Sequence, residues 1–158
     1  MLAPRARVAL RDTTATRPVS ISPAGEKFSL PGPADDAREF ARLKKLAAQH
    51  RRAGREIVVV VGLGFVGAVM AAVVADARDK KTGRPSKFVI GTQRPSPRSY
   101  WKIPLLNRGE SPIKAEDPEV ELLIRRCVCE TRTLVATHTE AALQLADVVV
   151  VDVQCDYL

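Results

Sequence analysis

Three glycines, Gly62, Gly64 and Gly67, stand in the spacing G-x-G-x-x-G within GLGFVG. That spacing suits the holding of a pyrophosphate against backbone N–H groups at the start of a helix. A charged phosphate bridge needs donors and a positive potential, and a helix N-terminus supplies both through its unpaired N–H groups and its dipole. Such close approach demands positions without side chains. Gly62 is expected to turn the chain out of a strand, Gly64 to let the backbone meet the phosphates, and Gly67 to let the helix lie against the strand. A glycine-rich turn alone is a weak sign, so its neighbours decide. EIVVVV precedes it as a β-branched run and AVMAAVVADA follows it as a helix of small residues, which is the context a dinucleotide cradle requires. Between the glycines, Leu63, Phe65 and Val66 are expected to pack in the core or against a cofactor rather than to react.

A second diagnostic position lies at the end of the next strand, where an acid usually accepts hydrogen bonds from the adenosine ribose hydroxyls. Here Gly91-Thr92-Gln93-Arg94 puts Gln93 in that place. A carboxamide still reaches a ribose hydroxyl, though without charge. Arg94 beside it is suited to lie over the adenine, to meet a 2′-phosphate or to point into solvent. These residues by themselves leave NAD and NADP both open.

The elements that must position these residues follow from periodicity. KFVIG (Lys87–Gly91), TLVAT (Thr133–Thr137) and DVVVVDV (Asp147–Val153) read as further strands. Asp117-Pro118 opens a helix in which Val120, Leu123, Ile124 and Cys127 share a face. SYWKIPLLNRG reads as a short helix or turn interrupted by Pro104, and EAALQLA as another short helix. Strands alternating with helices predict an α/β fold, a Rossmann-like parallel sheet with flanking helices, incomplete at the C-terminus.

The chain has 158 residues, room for one ordinary domain with its own core. Its net charge of +7 is unevenly placed, with 12 Lys+Arg against 5 Asp+Glu in residues 1–55 and 13 against 13 thereafter. The basic excess therefore lies ahead of the glycines, in a solvated surface or partner-binding arm, and no nucleic-acid-binding module accompanies it. Residues 1–34 are expected to form an irregular basic arm. Residues 35–54 are expected to form an amphipathic helix, opened by an Asp36/Glu39 capping box, carrying Phe40, Leu43, Leu46 and Ala47 on one face and closed by Gly54. Residues 55–158 form the N-terminal part of a dinucleotide-binding domain in this reading.

Cys127, Cys129 and Cys155 lack the companions of a zinc site and read as reduced structural thiols, which suits a cytoplasmic compartment. The apolar run Ile57–Val61 is far too short to span a membrane. No metal is expected.

VVGLGFVGAVMAAVVADA resembles the opening of the UDP-glucose/GDP-mannose dehydrogenase family, V-x-G-x-G-x-V-G-x-x-x-A. The resemblance continues in Leu106-Asn107-Arg108-Gly109-Glu110-Ser111-Pro112-Ile113, similar to the family's L-N-x-G-x-x-P-I, and in Thr137 and Ala146-Asp147-Val148-Val149. It covers roughly residues 56–155. It implies oxidation of the C6 alcohol of a nucleotide sugar to a carboxylate, in two NAD-dependent steps through a thioester on a cysteine, with UDP-sugars as the substrate class and Thr137 near the cofactor. Gln93 departs from the family's aspartate, and His138 from the aspartate that often follows the threonine. The family's catalytic cysteine, helper lysine and sugar-binding domain lie beyond residue 158, and Cys155 falls too early to be that cysteine. No catalytic residue is therefore assigned, and the chain by itself is expected not to oxidise a UDP-sugar. Homo-oligomerisation stays open, as does the alternative of a non-catalytic nucleotide-binding or interaction module.

Overall fold

The computed structural model describes residues 17–153; Cys155 and the first 16 residues lie outside them. Four strands form a parallel sheet: β3 (Glu56–Val61), β4 (Lys87–Thr92), β5 (Leu134–Thr137) and β6 (Val148–Val151). Ahead of them stand a small hairpin, β1 (Val19–Ile21) with β2 (Lys27–Ser29), and helix α1 (Pro33–Arg52). Helix α2 (Phe65–Ala75) links β3 to β4. Helices α3 (Lys102–Asn107) and α4 (Glu119–Arg125), the latter running into a π-turn at Arg126–Glu130, link β4 to β5. A 3₁₀ segment, Glu140–Leu145, leads to β6. The sheet order is β5-β4-β3-β6. The chain thus steps outward from β3 through β4 to β5, then returns to place β6 on the other side of β3. This Rossmann-like order creates a switch point between β3 and β6, and open α/β sheets bind ligands at the carboxyl ends of such strands.

Both faces of the sheet are covered, which is why its strands read as unbroken apolar runs. Alternate residues of β3 part to opposite sides. Val58 and Val60 join Ala71, Ala72, Ile103, Leu106 and Ile124 beneath α2, α3 and α4. Ile57 and Val59 join Leu43 and Ala47 of α1, with Phe88, Ile90 and Leu145. The amphipathic stripe of α1 therefore packs on the domain that follows it. Arg51 pins the end of that helix, donating to the Leu145 carbonyl at 2.7 Å and to the Asp147 carboxylate at 2.8 Å. Asp147 also accepts from the Ile57 amide, and these contacts hold its carboxyl below the usual range, the backbone bond counting most.

Several expectations are corrected. The arm is not irregular throughout, because the β1–β2 hairpin occupies part of it, with Ser20 buried and donating to the Pro97 carbonyl. The cap of α1 is set earlier than Asp36: Gly32 is the N-cap, Pro33 opens the helix, and the Asp35 carboxylate accepts from the Gly32 amide at 2.8 Å. Pro33 explains the shift, since it prefers the first helical position. Gly54 does follow the helix, at φ +76°. Pro104 does not interrupt α3; it sits in the first turn, where no intrahelical bond needs its missing N–H. The fourth strand is shorter than expected, ending at Val151.

Candidate functional site

At the carboxyl end of β3 the chain turns at Gly62, with φ +98°. The Gly62 amide donates to the Thr92 carbonyl at 2.9 Å, and the Asp152 amide donates to the Val61 carbonyl at 2.8 Å. The turn is therefore wedged between β4 and the residue just past β6. A Cβ on Gly62 would lie 1.9 Å from the Asp152 carbonyl oxygen. On Gly67 it would lie 2.0 Å from the Gly62 carbonyl oxygen and 2.9 Å from Asp152 Oδ2. Both positions exclude any side chain for packing reasons. Gly64 differs: its φ of −77° is ordinary, and a Cβ there would meet nothing within 4 Å.

Gly64 is the N-cap of α2, which opens with no side-chain cap and no acidic residue in its first turn. The first N–H groups of any helix lack intrahelical partners. Phe65 and Val66, in that first turn, are exposed, which removes the core from the two places expected for them; Leu63 is fully buried. Leu63 in turn explains Gly91, where a Cβ would come within 2.6 Å of the leucine side chain. The Asp152 carboxylate, beside Gly67, is a nearby charge that sequence reading does not single out. Only the strand order brings it to the turn.

Gln93 follows β4, and its Oε1 accepts from the Leu63 amide at 3.0 Å. Its own amide donates to the Thr137 carbonyl, also at 3.0 Å. Arg94 points outward, 82% exposed, with its guanidinium 3.8 Å from the Glu140 carboxylate. Gly62, Leu63, Gln93 and the end of β5 thus form one connected rim.

Thr137 closes β5 with its side chain wholly buried, and its hydroxyl donates to Glu39 of α1 at 2.9 Å. Arg42 forks onto the same carboxylate at 2.8 and 2.7 Å. Burial pushes the Glu39 carboxyl up, but the Arg42 and Thr137 contacts outweigh it and hold it below the usual range. His138 lies 3.1 Å from Asp36 and edge-on to Tyr100. The third-strand threonine and its neighbour are therefore engaged by α1.

Asn107 and Gly109, from the second stretch of resemblance, serve the sheet. Asn107 donates through Nδ2 to the Ala136 carbonyl at 2.9 Å and accepts from the Ala136 amide at 2.7 Å, so its carboxamide pairs with the edge of β5 as a strand would. Gly109 turns at φ +81° beneath Cys129. Cys127 and Cys129 are free thiols, the first buried and the second exposed. A groove of about 810 Å³ runs between α1, α3 and β5, lined by Arg42, His50, Phe88, Asn107 and His138, away from the glycine turn. Among the described residues no group of side chains is arranged to hold a metal ion, and no helix is long and apolar enough to cross a membrane.

No family model and no curated protein matches the chain. Among solved structures, the NDP-N-acetyl-D-galactosaminuronic acid dehydrogenase from Methanosarcina mazei Go1 is similar at 34% identity over 73% of this chain, with a TM-score of 0.58. The chain spans 22% of that dehydrogenase's length. Sequence and fold together relate this chain distantly to a nucleotide-sugar dehydrogenase through a Rossmann-like nucleotide-binding domain.

Proposed function

We propose that the turn from Gly62 to Gly67 binds the pyrophosphate of a nicotinamide dinucleotide, and that the chain is the cofactor-binding part of a nucleotide-sugar 6-dehydrogenase. The observation that carries this reading is the contrast among the three glycines. Two are closed by packing, while Gly64 faces open space at an uncapped helix N-terminus beside the β3/β6 switch point. Backbone N–H groups of Gly64, Phe65 and Val66 would hold the phosphates there. Gln93 and Arg94 would lie along the adenosine side, and the exposed Phe65 and Val66 side chains would pack on the cofactor. Thr137 would act through the wall behind it. The bound dinucleotide supplies the oxidising power for the sugar alcohol.

Support for the substrate class comes from the resemblance and from the related dehydrogenase, which is named for an NDP-linked uronic acid, the product type of oxidation at C6. A UDP-sugar is the substrate we favour for the complete protein, with two dinucleotides reduced for each sugar oxidised to the carboxylate.

The test is titration of NADH into the wild-type chain and a Gly64→Val variant, with circular dichroism on both. Wild type is expected to bind. The variant is expected to keep its fold and lose at least about tenfold in affinity, because its added side chain fills the approach to the N–H groups. Equal binding by both would remove the glycine turn from the site.

A further inference from the structure

The corner that follows β4 bears on which dinucleotide is taken, and the inference rests on the cradle proposed above. A carboxamide carries one acceptor oxygen and one donor nitrogen. In Gln93 the oxygen is already committed, accepting from the Leu63 amide at 3.0 Å. That bond fixes the orientation of the side chain, since an N–H needs an acceptor. Nε2, with two N–H groups and no partner among the described residues, is left for a ligand.

Arg94 stands next to it. Pro95 keeps its backbone extended, and the Arg94 carbonyl accepts from Ser99 Oγ at 3.0 Å, so the corner is anchored while the guanidinium is free to reach outward. Its contact with Glu140 is long, 3.8 Å, between side chains 82% and 74% exposed. Such a pair is worth little and yields readily to a stronger anion. From Gly91 to Lys102 the sequence GTQRPSPRSYWK contains no carboxylate and two further cations, Arg98 and Lys102. Glu140 is the acidic side chain paired with Arg94 among the described residues.

A free ribose 2′-hydroxyl both donates and accepts, whereas a 2′-phosphate presents acceptor oxygens and negative charge. A carboxylate at this place accepts the hydroxyl proton and repels a 2′-phosphate. Here the corner presents N–H donors and a guanidinium, which match the acceptor oxygens and charge of a phosphate. We propose that Gln93 and Arg94 form a 2′-phosphate-accepting corner, so that the chain binds NADP at least as tightly as NAD.

The experiment is calorimetric titration of NADP and of NAD into the full chain, as wild type, Arg94→Ala and Gln93→Glu. Wild type is expected to bind NADP with a Kd equal to or below that for NAD. Arg94→Ala is expected to weaken NADP about tenfold more than it weakens NAD. Gln93→Glu, which keeps the length and the Leu63 bond, is expected to turn the preference to NAD. Binding of NAD with NADP tenfold weaker, or an NADP affinity indifferent to Arg94→Ala, would overturn the corner and leave the cradle standing. Binding of neither dinucleotide would overturn the cradle, and this inference with it.

Discussion

The carbonyl oxygen of Asp152 lies 1.9 Å from the point where a side chain on Gly62 would begin. The two residues follow the central strand and its neighbour across the switch point, so the turn and the end of β6 are built against each other. Gly62 also holds φ +98°. Gly62→Ala is therefore expected to cost about 3 kcal/mol or more, from an unfavourable backbone conformation together with overpacking against main chain. Urea unfolding measures it, with Gly64→Ala as the comparison. The second variant adds its methyl to open space at an N-cap and is expected to lose only about 0.5–1 kcal/mol. Similar losses for both would contradict the packing described at Gly62.

Asp152 also places a carboxylate beside the first turn of α2, 2.9 Å from where a Cβ on Gly67 would stand. A pyrophosphate at that helix end would feel this charge. Asp152→Asn is expected to tighten dinucleotide binding by about 1 kcal/mol, roughly fivefold, with the gain shrinking as salt is raised. An unchanged affinity at low salt would put the phosphates elsewhere.

Asn107 makes two hydrogen bonds to one residue of an edge strand. Asn107→Leu leaves both Ala136 main-chain groups without that partner. The expected loss is about 1–2 kcal/mol, with dinucleotide affinity unaltered. Thermal unfolding and a binding titration on the same variant separate the two. Weaker binding at unchanged stability would mean that the residue belongs to the cofactor site.

His50 is stacked on Phe88, with ring centroids 3.8 Å apart, and its Nδ1 accepts from Arg55 at 2.7 Å. Burial first, and the Arg55 charge second, drive its pKa from the ordinary 6.5 down to about 4. The folded state keeps the ring neutral while the unfolded chain takes up a proton below about pH 6.5. Stability present above that pH is lost as pH falls toward 4, by at most about 1.4 kcal/mol for each pH unit. His50→Gln is expected to flatten the stability profile between those limits. Carboxylates such as Asp76 and Glu39, whose pKa values are lowered from 3.8 and 4.5, act at the bottom of that window and below it. A profile equally steep in the variant would assign the effect to other groups.

The two described cysteines are expected to differ in reactivity. Cys127 is buried with its Sγ 3.4 Å from the Ala72 carbonyl, and burial raises its thiol pKa further from neutrality. Cys129 is exposed. Iodoacetamide labelling of native protein, mapped by mass spectrometry, is expected to modify Cys129 far faster than Cys127. Comparable rates would mean that the α2–α4 interface opens readily.

The four strands, the helix after the glycines and the separate helix before them are legible in the sequence because each pattern reports its own burial. The unbroken run Ile57–Val60 reports a strand buried on both faces, and Leu43 with Ala47 is one helical turn. The hairpin is not legible. Val19 and Ile21 are exposed while Ser20 between them is buried, so the three-residue alternation of β1 runs against hydrophobicity. The Gly32/Asp35 cap is hidden because Asp36 and Glu39 offer the same spacing four residues later. At the site, the glycines can be read from spacing alone, since their roles concern backbone close to its own chain. The contacts of Gln93 with Leu63 and of Asp152 with Gly62 cannot. They join residues 30 and 90 positions apart, and only the order of strands brings them together.

Helix α1 has a consequence for the order of assembly. It leaves the ribosome ahead of every strand it will cover. Arg51 waits for Leu145 and Asp147, 94 and 96 positions later, and the Leu43 stripe has no complete floor until then. A lone helix of 20 residues is marginal in water, and closing so long a loop is entropically costly. The first helix made is thus the last to be locked, and nascent chains halted before Asp147 would leave it open to proteases.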